Sequence, residues 1–132
     1  MSCNSAIYTV NTGATATAGG AIPLGSIIRR FGCHVNLNGN GIIINGAGYY
    51  DFDIVLTVLP AAAGAITATL MRDGVAVAGA TATATAAAIG DAVTLPITAM
   101  VRQFANCDGA TYTVVLSGAA TVSNIAVTVD KI

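Results

Sequence analysis

Few side chains in this chain could do chemistry, and their spacing restricts what they can do. There is one histidine, His34, directly after Cys33. Neighbours on a strand point to opposite faces, so these two would not serve as nucleophile and base or share a metal ion. A lone strand histidine is ordinarily hydrogen-bonded or exposed. Cys3, Cys33 and Cys107 are odd in number, widely spaced and form no Cys-x-x-Cys pair, which reads as free, partly buried thiols in a reducing compartment. Asp51 and Asp53 share a strand face about 7 Å apart. That spacing could serve a hard cation or an acid–base pair, although solubilising or ion-pairing an outer face is the commoner use. Arg29-Arg30 is too short for a nucleic-acid patch and suits a strand edge or a partner's acid. No Gly-x-x-x-x-Gly-Lys-Ser/Thr phosphate loop occurs and Glu is absent. The expectation is therefore a protein with no catalytic residue, no cofactor and no metal.

The elements that would position these residues are strands. Period-two alternation runs through nearly the whole chain. In Gly48–Leu59, Tyr50, Phe52, Ile54, Leu56 and Val58 fall on one face, and Tyr49, Asp51, Asp53, Val55 and Thr57 on the other. A one-residue slip would bury both aspartates, so the register is well specified. By the same logic Val93, Leu95, Ile97, Ala99 and Val101 point inward, with Thr94, Pro96, Thr98, Met100 and Arg102 outward. Pro96 lacks a ladder donor, so a local break or bulge is expected there. Tyr112, Val114, Leu116, Ile125, Val127 and Val129 also face inward. Further strands are expected at Ala6–Val10, Ser26–Arg30, Cys33–Leu37, Gly41–Ile44, Ala65–Arg72, Val75–Ala78 and Ala80–Ala88. Asn-Gly and Asp-Gly turns separate several of them, Asp73-Gly74 giving the clearest hairpin. About ten short strands in 132 residues imply an all-β antiparallel sandwich or barrel.

Composition adds a constraint on the surface. Hydrophobic residues make up 55% of the chain and charged ones 8%, with net charge −1, so no basic stripe exists to bind nucleic acid. The bulk is 26 Ala, 16 Thr, 15 Gly, 13 Val and 13 Ile. Residues 54–71 are uncharged, but Pro60, Gly64 and the alternation fit two strands and a loop better than a membrane helix. The first residues lack the basic and apolar regions of a signal peptide, pointing to synthesis in a cytoplasm. Outward positions hold Thr, Ala, Val and Met far more often than Lys or Glu. A monomer with that surface would expose larger apolar patches than soluble monomers carry, and symmetric self-association hides them.

Ile42-Ile-Ile-Asn-Gly-Ala-Gly-Tyr-Tyr-Asp-Phe52 resembles the tumour necrosis factor/complement globular-head superfamily, in which a strand and turn lead into Gly-x-Tyr-x-Phe. The matching residues are Gly48, Tyr50 and Phe52. Leu70–Gly79 is similar to the hairpin of bacterial and phage members, and Asn124–Ile132 to their C-terminal strand. The resemblance covers about residues 22–132, without the aromatic and charge content or collagen-like stalk of animal members. It implies a ten-stranded jelly roll assembled as a homotrimer. The sheet facing the three-fold axis would present Tyr49, Asp51, Asp53, Val55, Thr98, Met100, Arg102, Ala126 and Thr128. Arg102 is expected to neutralise the aspartates there.

Two functions follow as expectations. One is a structural virion protein, a trimer decorating a phage capsid or forming a head-fibre unit and contacting the major capsid protein or another virion protein. Residues 1–21 would then be an N-terminal strand or arm, with Thr12–Gly20 adaptable enough to grip a lattice, and 22–132 the jelly-roll domain. The other is a receptor- or glycan-binding tip on a virion, cell or spore surface.

Overall fold

The computed structural model describes residues 5–32, 34–38, 40–103 and 110–131. Cys3, Cys33 and Cys107 lie outside them. Ten strands follow in chain order: β1 (Ala6–Ala16), β2 (Ser26–Phe31), β3 (Val35–Asn38), β4 (Gly41–Ile44), β5 (Gly48–Pro60), β6 (Gly64–Arg72), β7 (Val75–Ala86), β8 (Val93–Gln103), β9 (Ala110–Leu116) and β10 (Ala120–Lys131). They form two five-stranded sheets, ordered β2-β1-β10-β5-β8 and β3-β4-β9-β6-β7, with every ladder between them antiparallel. Of the chain connections, β1–β2, β3–β4 and β6–β7 stay within a sheet and the rest cross the sandwich, giving a jelly roll.

The core lies between the sheets, and the alternation dictates who enters it. Tyr50, Phe52, Ile54, Leu56 and Val58 of β5 are buried, as are Leu95 and Ile97, Tyr112, Val114 and Leu116, and Ile125, Val127 and Val129. Phe52 meets Tyr112 with ring centroids 4.8 Å apart, within the range of favourable tilted aromatic pairs. Small residues serve the core as well. The Ala/Thr run of β7 turns Ala80, Ala82, Ala84 and Ala86 inward and Thr81, Thr83 and Thr85 to solvent.

Several expectations change. Pro96 causes no break: it pairs in register with Val55, and the β5–β8 ladder runs unshifted from Gly48↔Gln103 to Val58↔Val93. β8 is an edge strand, so the missing N–H can face the side where nothing needs it. The two strands expected on either side of Gly79 are joined as one strand, β7, which bulges between them: Thr81 pairs with Thr69 and Ala76 with Met71, so residues 77–80 stand opposite Leu70 alone, with Gly79 at φ +77°. The uncharged stretch 54–71 does follow its expectation of two strands and a loop: it is the end of β5, a short loop and the start of β6, in different sheets. No helix among the described residues is long and apolar enough to cross a membrane.

The N-terminal stretch is built into the sandwich. Residues 6–16 pair with β10 from Ala6↔Asp130 to Ala16↔Ala120. The chain then crosses to the other sheet, where Gly19 N and Ile22 N donate to the Leu116 and Val114 carbonyls, both at 2.8 Å.

Candidate functional site: the outer face of the first sheet

The face is built by three adjacent strands. β5 lies between β10 and β8, and its start is fixed by the Gly-x-Tyr-x-Phe residues. Gly48 has φ +141°, a backbone conformation that favours a residue without a side chain. Tyr50 is fully buried, and its hydroxyl donates to the Gly46 carbonyl at 2.8 Å. Burial, then the neighbouring Tyr112, pushes this phenol's pKa above its ordinary value, so it stays a neutral donor. With Tyr50 locked inward, Tyr49, Asp51, Asp53 and Val55 must face outward.

Cross-strand register then arranges the outward residues in rows. Asp51 lies between Asp130 and Met100, Asp53 between Thr128 and Thr98, and Val55 between Ala126 and Pro96. Tyr49 pairs with Arg102, whose guanidinium sits over the tyrosine ring, 5.7 Å from its centroid. The structure thus places all nine residues singled out from the sequence on one face. Tyr49 is 49% exposed, Val55 45% and Met100 63%; with Tyr8 and Phe31 on neighbouring strands, this face holds five of the nine exposed large hydrophobics among the described residues.

Asp130 is the member that sequence reasoning missed. It stands directly opposite Asp51, and like charges in that position repel. Burial, then Asp51 and then Asp53, raises the Asp130 pKa above its usual 3.8. The signal was available, since the alternation that turns Ala126 and Thr128 outward turns Asp130 outward too. Beside the face, between β7 and β8, runs a groove of about 370 Å³ lined by Arg72, Val75, Val77, Met100 and Arg102. Its apolar floor and two guanidiniums extend the adhesive surface around the sheet edge.

His34 lies elsewhere, between β2 and β3. Its amide donates to Ser5 Oγ at 3.2 Å and its carbonyl accepts from Asn45 N at 3.0 Å. Its ring packs so tightly over Gly46 that any Cβ there would collide with it. These are the contacts of a structural residue. No group of three or more His, Cys, Asp or Glu able to hold a metal ion occurs among the described residues. What the outer face can do chemically is adhere: it has apolar area, aromatic rings and a small patch of like charge.

Comparison with solved structures bears on the architecture. Murine APRIL superposes with a TM-score of 0.77 at 12% identity, over 98% of this chain and 99% of that one. The fold is the TNF-like jelly roll. Eiger TNF from S. frugiperda gives 0.74 at 11% identity, covering 100% of this TNF-like chain and 94% of that one. The phage PRD1 vertex protein P5 gives 0.59 at 17% identity, covering 100% and 99%. No protein-family model and no curated protein matches the chain in sequence.

Proposed function

We propose that this protein is a non-enzymatic structural component of a phage virion, a homotrimer that decorates the capsid surface or forms a head-fibre unit. It is made in the host cytoplasm and held on the particle by the major capsid protein or another virion protein. The observation that carries this reading is the outer face of the β2-β1-β10-β5-β8 sheet. It gathers exposed Tyr8, Phe31, Tyr49, Val55 and Met100 around neutral threonines and alanines, a composition suited to burial between copies. The fold likeness to a phage vertex protein supports the virion setting.

In the trimer the residues named from the sequence line the contact: Tyr49, Asp51, Asp53, Val55, Thr98, Met100, Arg102, Ala126 and Thr128. Asp130 joins them, so nine carboxylates from three copies gather near the axis. Arg102, which sits over the Tyr49 ring, is the one cation among these residues and would offset that charge.

The test is a copy count on purified particles by quantitative mass spectrometry, with labelling on the shell by electron microscopy. Decoration requires copies numbering in the hundreds over the capsid. A handful at a tail or vertex would instead favour a receptor-binding tip, and absence from particles would overturn the virion assignment.

A further inference from the structure

Covering the outer face of the β2-β1-β10-β5-β8 sheet removes its apolar exposure and creates a problem of charge. One row of outward residues reads Met100, Asp51, Asp130, Ala6 and Phe31, with two adjacent acids and no cation. The next row reads Thr98, Asp53, Thr128, Tyr8 and Arg29, and its one arginine stands on β2, three strands from the acid. Burying carboxylates so placed is unfavourable unless the covering surface brings a cation with it. Two copies with these faces opposed would set acids against acids.

Cations stand at the sheet's edge. The groove of about 370 Å³ runs between the start of β7 and the end of β8, edge strands of different sheets, and the β7 bulge lies in its wall. Val75 on its rim is 70% exposed, Val101 on its floor is buried, and Arg72 and Arg102 line it together. Both arginines also engage their own chain, but a guanidinium carries five donors, enough for a second acceptor. Met100 lines the groove and is the cross-strand partner of Asp51. Groove and acid row therefore lie at the same height along the strands, and rotation about an axis parallel to the strands preserves that height.

We propose that the groove receives the acid row of the next copy: Arg72 and Arg102 of one protomer bind Asp51 and Asp130 of its neighbour, edge on face, around a three-membered ring. Such a contact is heterologous and closed. Each acid row meets one groove and no two acid rows meet. Guanidinium and carboxylate match in geometry as well as charge, and Val75 and Met100 supply apolar contact beside them. The inference rests on the reading of this protein as a homotrimer, and it assigns the pairing that allows its carboxylates to be covered.

Cross-linking tests the placement. In a chain with Cys3, Cys33 and Cys107 replaced by serine, Val75→Cys on the groove's rim and Thr128→Cys beside Asp53 keep every charge. β7 and β10 belong to different sheets, so a link between these positions joins two chains. A short bismaleimide should give covalent trimers on a denaturing gel, and neither single-cysteine variant should link. Charge reversal tests the pairing: Arg72→Asp should move trimer dissociation to roughly tenfold higher concentration, as loss of one charge-assisted contact implies. Adding Asp130→Arg to that chain should recover most of the loss. Asp91→Arg, in the β7–β8 loop at the other end of the sandwich, changes net charge as Asp130→Arg does and should leave dissociation unchanged. Trimers by light scattering that fail to cross-link, or a swapped chain that recovers nothing, overturn the edge-on-face contact and leave the trimer standing. A monomeric unmodified protein removes both.

Discussion

The two outer faces of the sandwich are made by the same alternation and yet have opposite character. On the β3-β4-β9-β6-β7 sheet, Thr67, Thr69, Thr81, Thr83, Thr111 and Thr113 point outward, and Thr67 Oγ1 and Thr83 Oγ1 are hydrogen-bonded at 2.9 Å. Hydroxyls of this kind bond to one another or to water, so that face is complete as it stands. On the β2-β1-β10-β5-β8 sheet the corresponding positions hold tyrosines, Val55, Met100 and three aspartates. That face exposes large apolar groups, a penalty that falls when another surface covers it, and crowds like charges, a penalty that covering raises unless a cation is brought in with them. A chain with few charges can therefore separate a wetted face from an adhesive one through its choice of small neutral residues.

The largest effect should come from placing one charge on each face in turn. Val55→Arg puts a guanidinium in the middle of the apolar face and should convert the proposed trimer to monomers at micromolar concentration. Thr83→Arg on the threonine face should leave the mass unchanged. Size-exclusion light scattering reads both, and equal behaviour of the two variants would erase the distinction between the faces.

Next in size is Arg102. Arg102→Ala should destabilise the proposed trimer by about 2–4 kcal/mol, chiefly by leaving the carboxylates that the contact would cover less compensated. Combined with Asp51→Asn it should cost less than the sum of the singles, because removing the acid removes the need for the cation. Thermal melts of the two single variants and the double variant decide it, strict additivity meaning that the groups do not interact.

How far these residues could be read in advance depended on whether a local rule or a distant neighbour fixed them. The β5 register was legible because any slip would bury Asp51 and Asp53. Tyr50 and Phe52 followed from it, and so did the inward and outward rows of β8. Pro96 was misread because edge position, which makes a proline harmless, depends on sheet order. The break at Gly79 was legible as the bulge it is, but the union of the two halves into one β7 was not, because it depends on both halves pairing with β6 across the ladder. The pairing of Arg102 with Tyr49 and of Asp51 with Asp130 likewise required the register between strands distant in sequence. The face was legible residue by residue, whereas its cross-strand partners were not.

A smaller effect concerns pH. Asp130 holds its proton more readily in the folded chain than in the unfolded one, because its folded pKa is raised above 3.8. Its contribution to stability is therefore most favourable below about 3.8, and it declines as pH rises through the raised value. Asp130→Asn should raise the melting temperature at pH 7 and lose that advantage as pH falls toward 4. An advantage that persists at low pH would assign the effect to something other than charge.

The smallest change should be on the threonine face. Thr67→Val with Thr83→Val removes an exposed hydroxyl pair and should move stability by less than about 1 kcal/mol, with oligomeric mass unaltered. A larger loss by chemical denaturation would mean that this face carries more of the fold than its exposure suggests.

The most direct test of the central claim is the mass of the unmodified protein in solution. Light scattering coupled to size exclusion at micromolar concentration should give roughly three times the 13.0 kDa chain mass, as a single species that persists on dilution. A monodisperse 13.0 kDa monomer would contradict the account, because the adhesive face would then stand exposed with nothing to cover it.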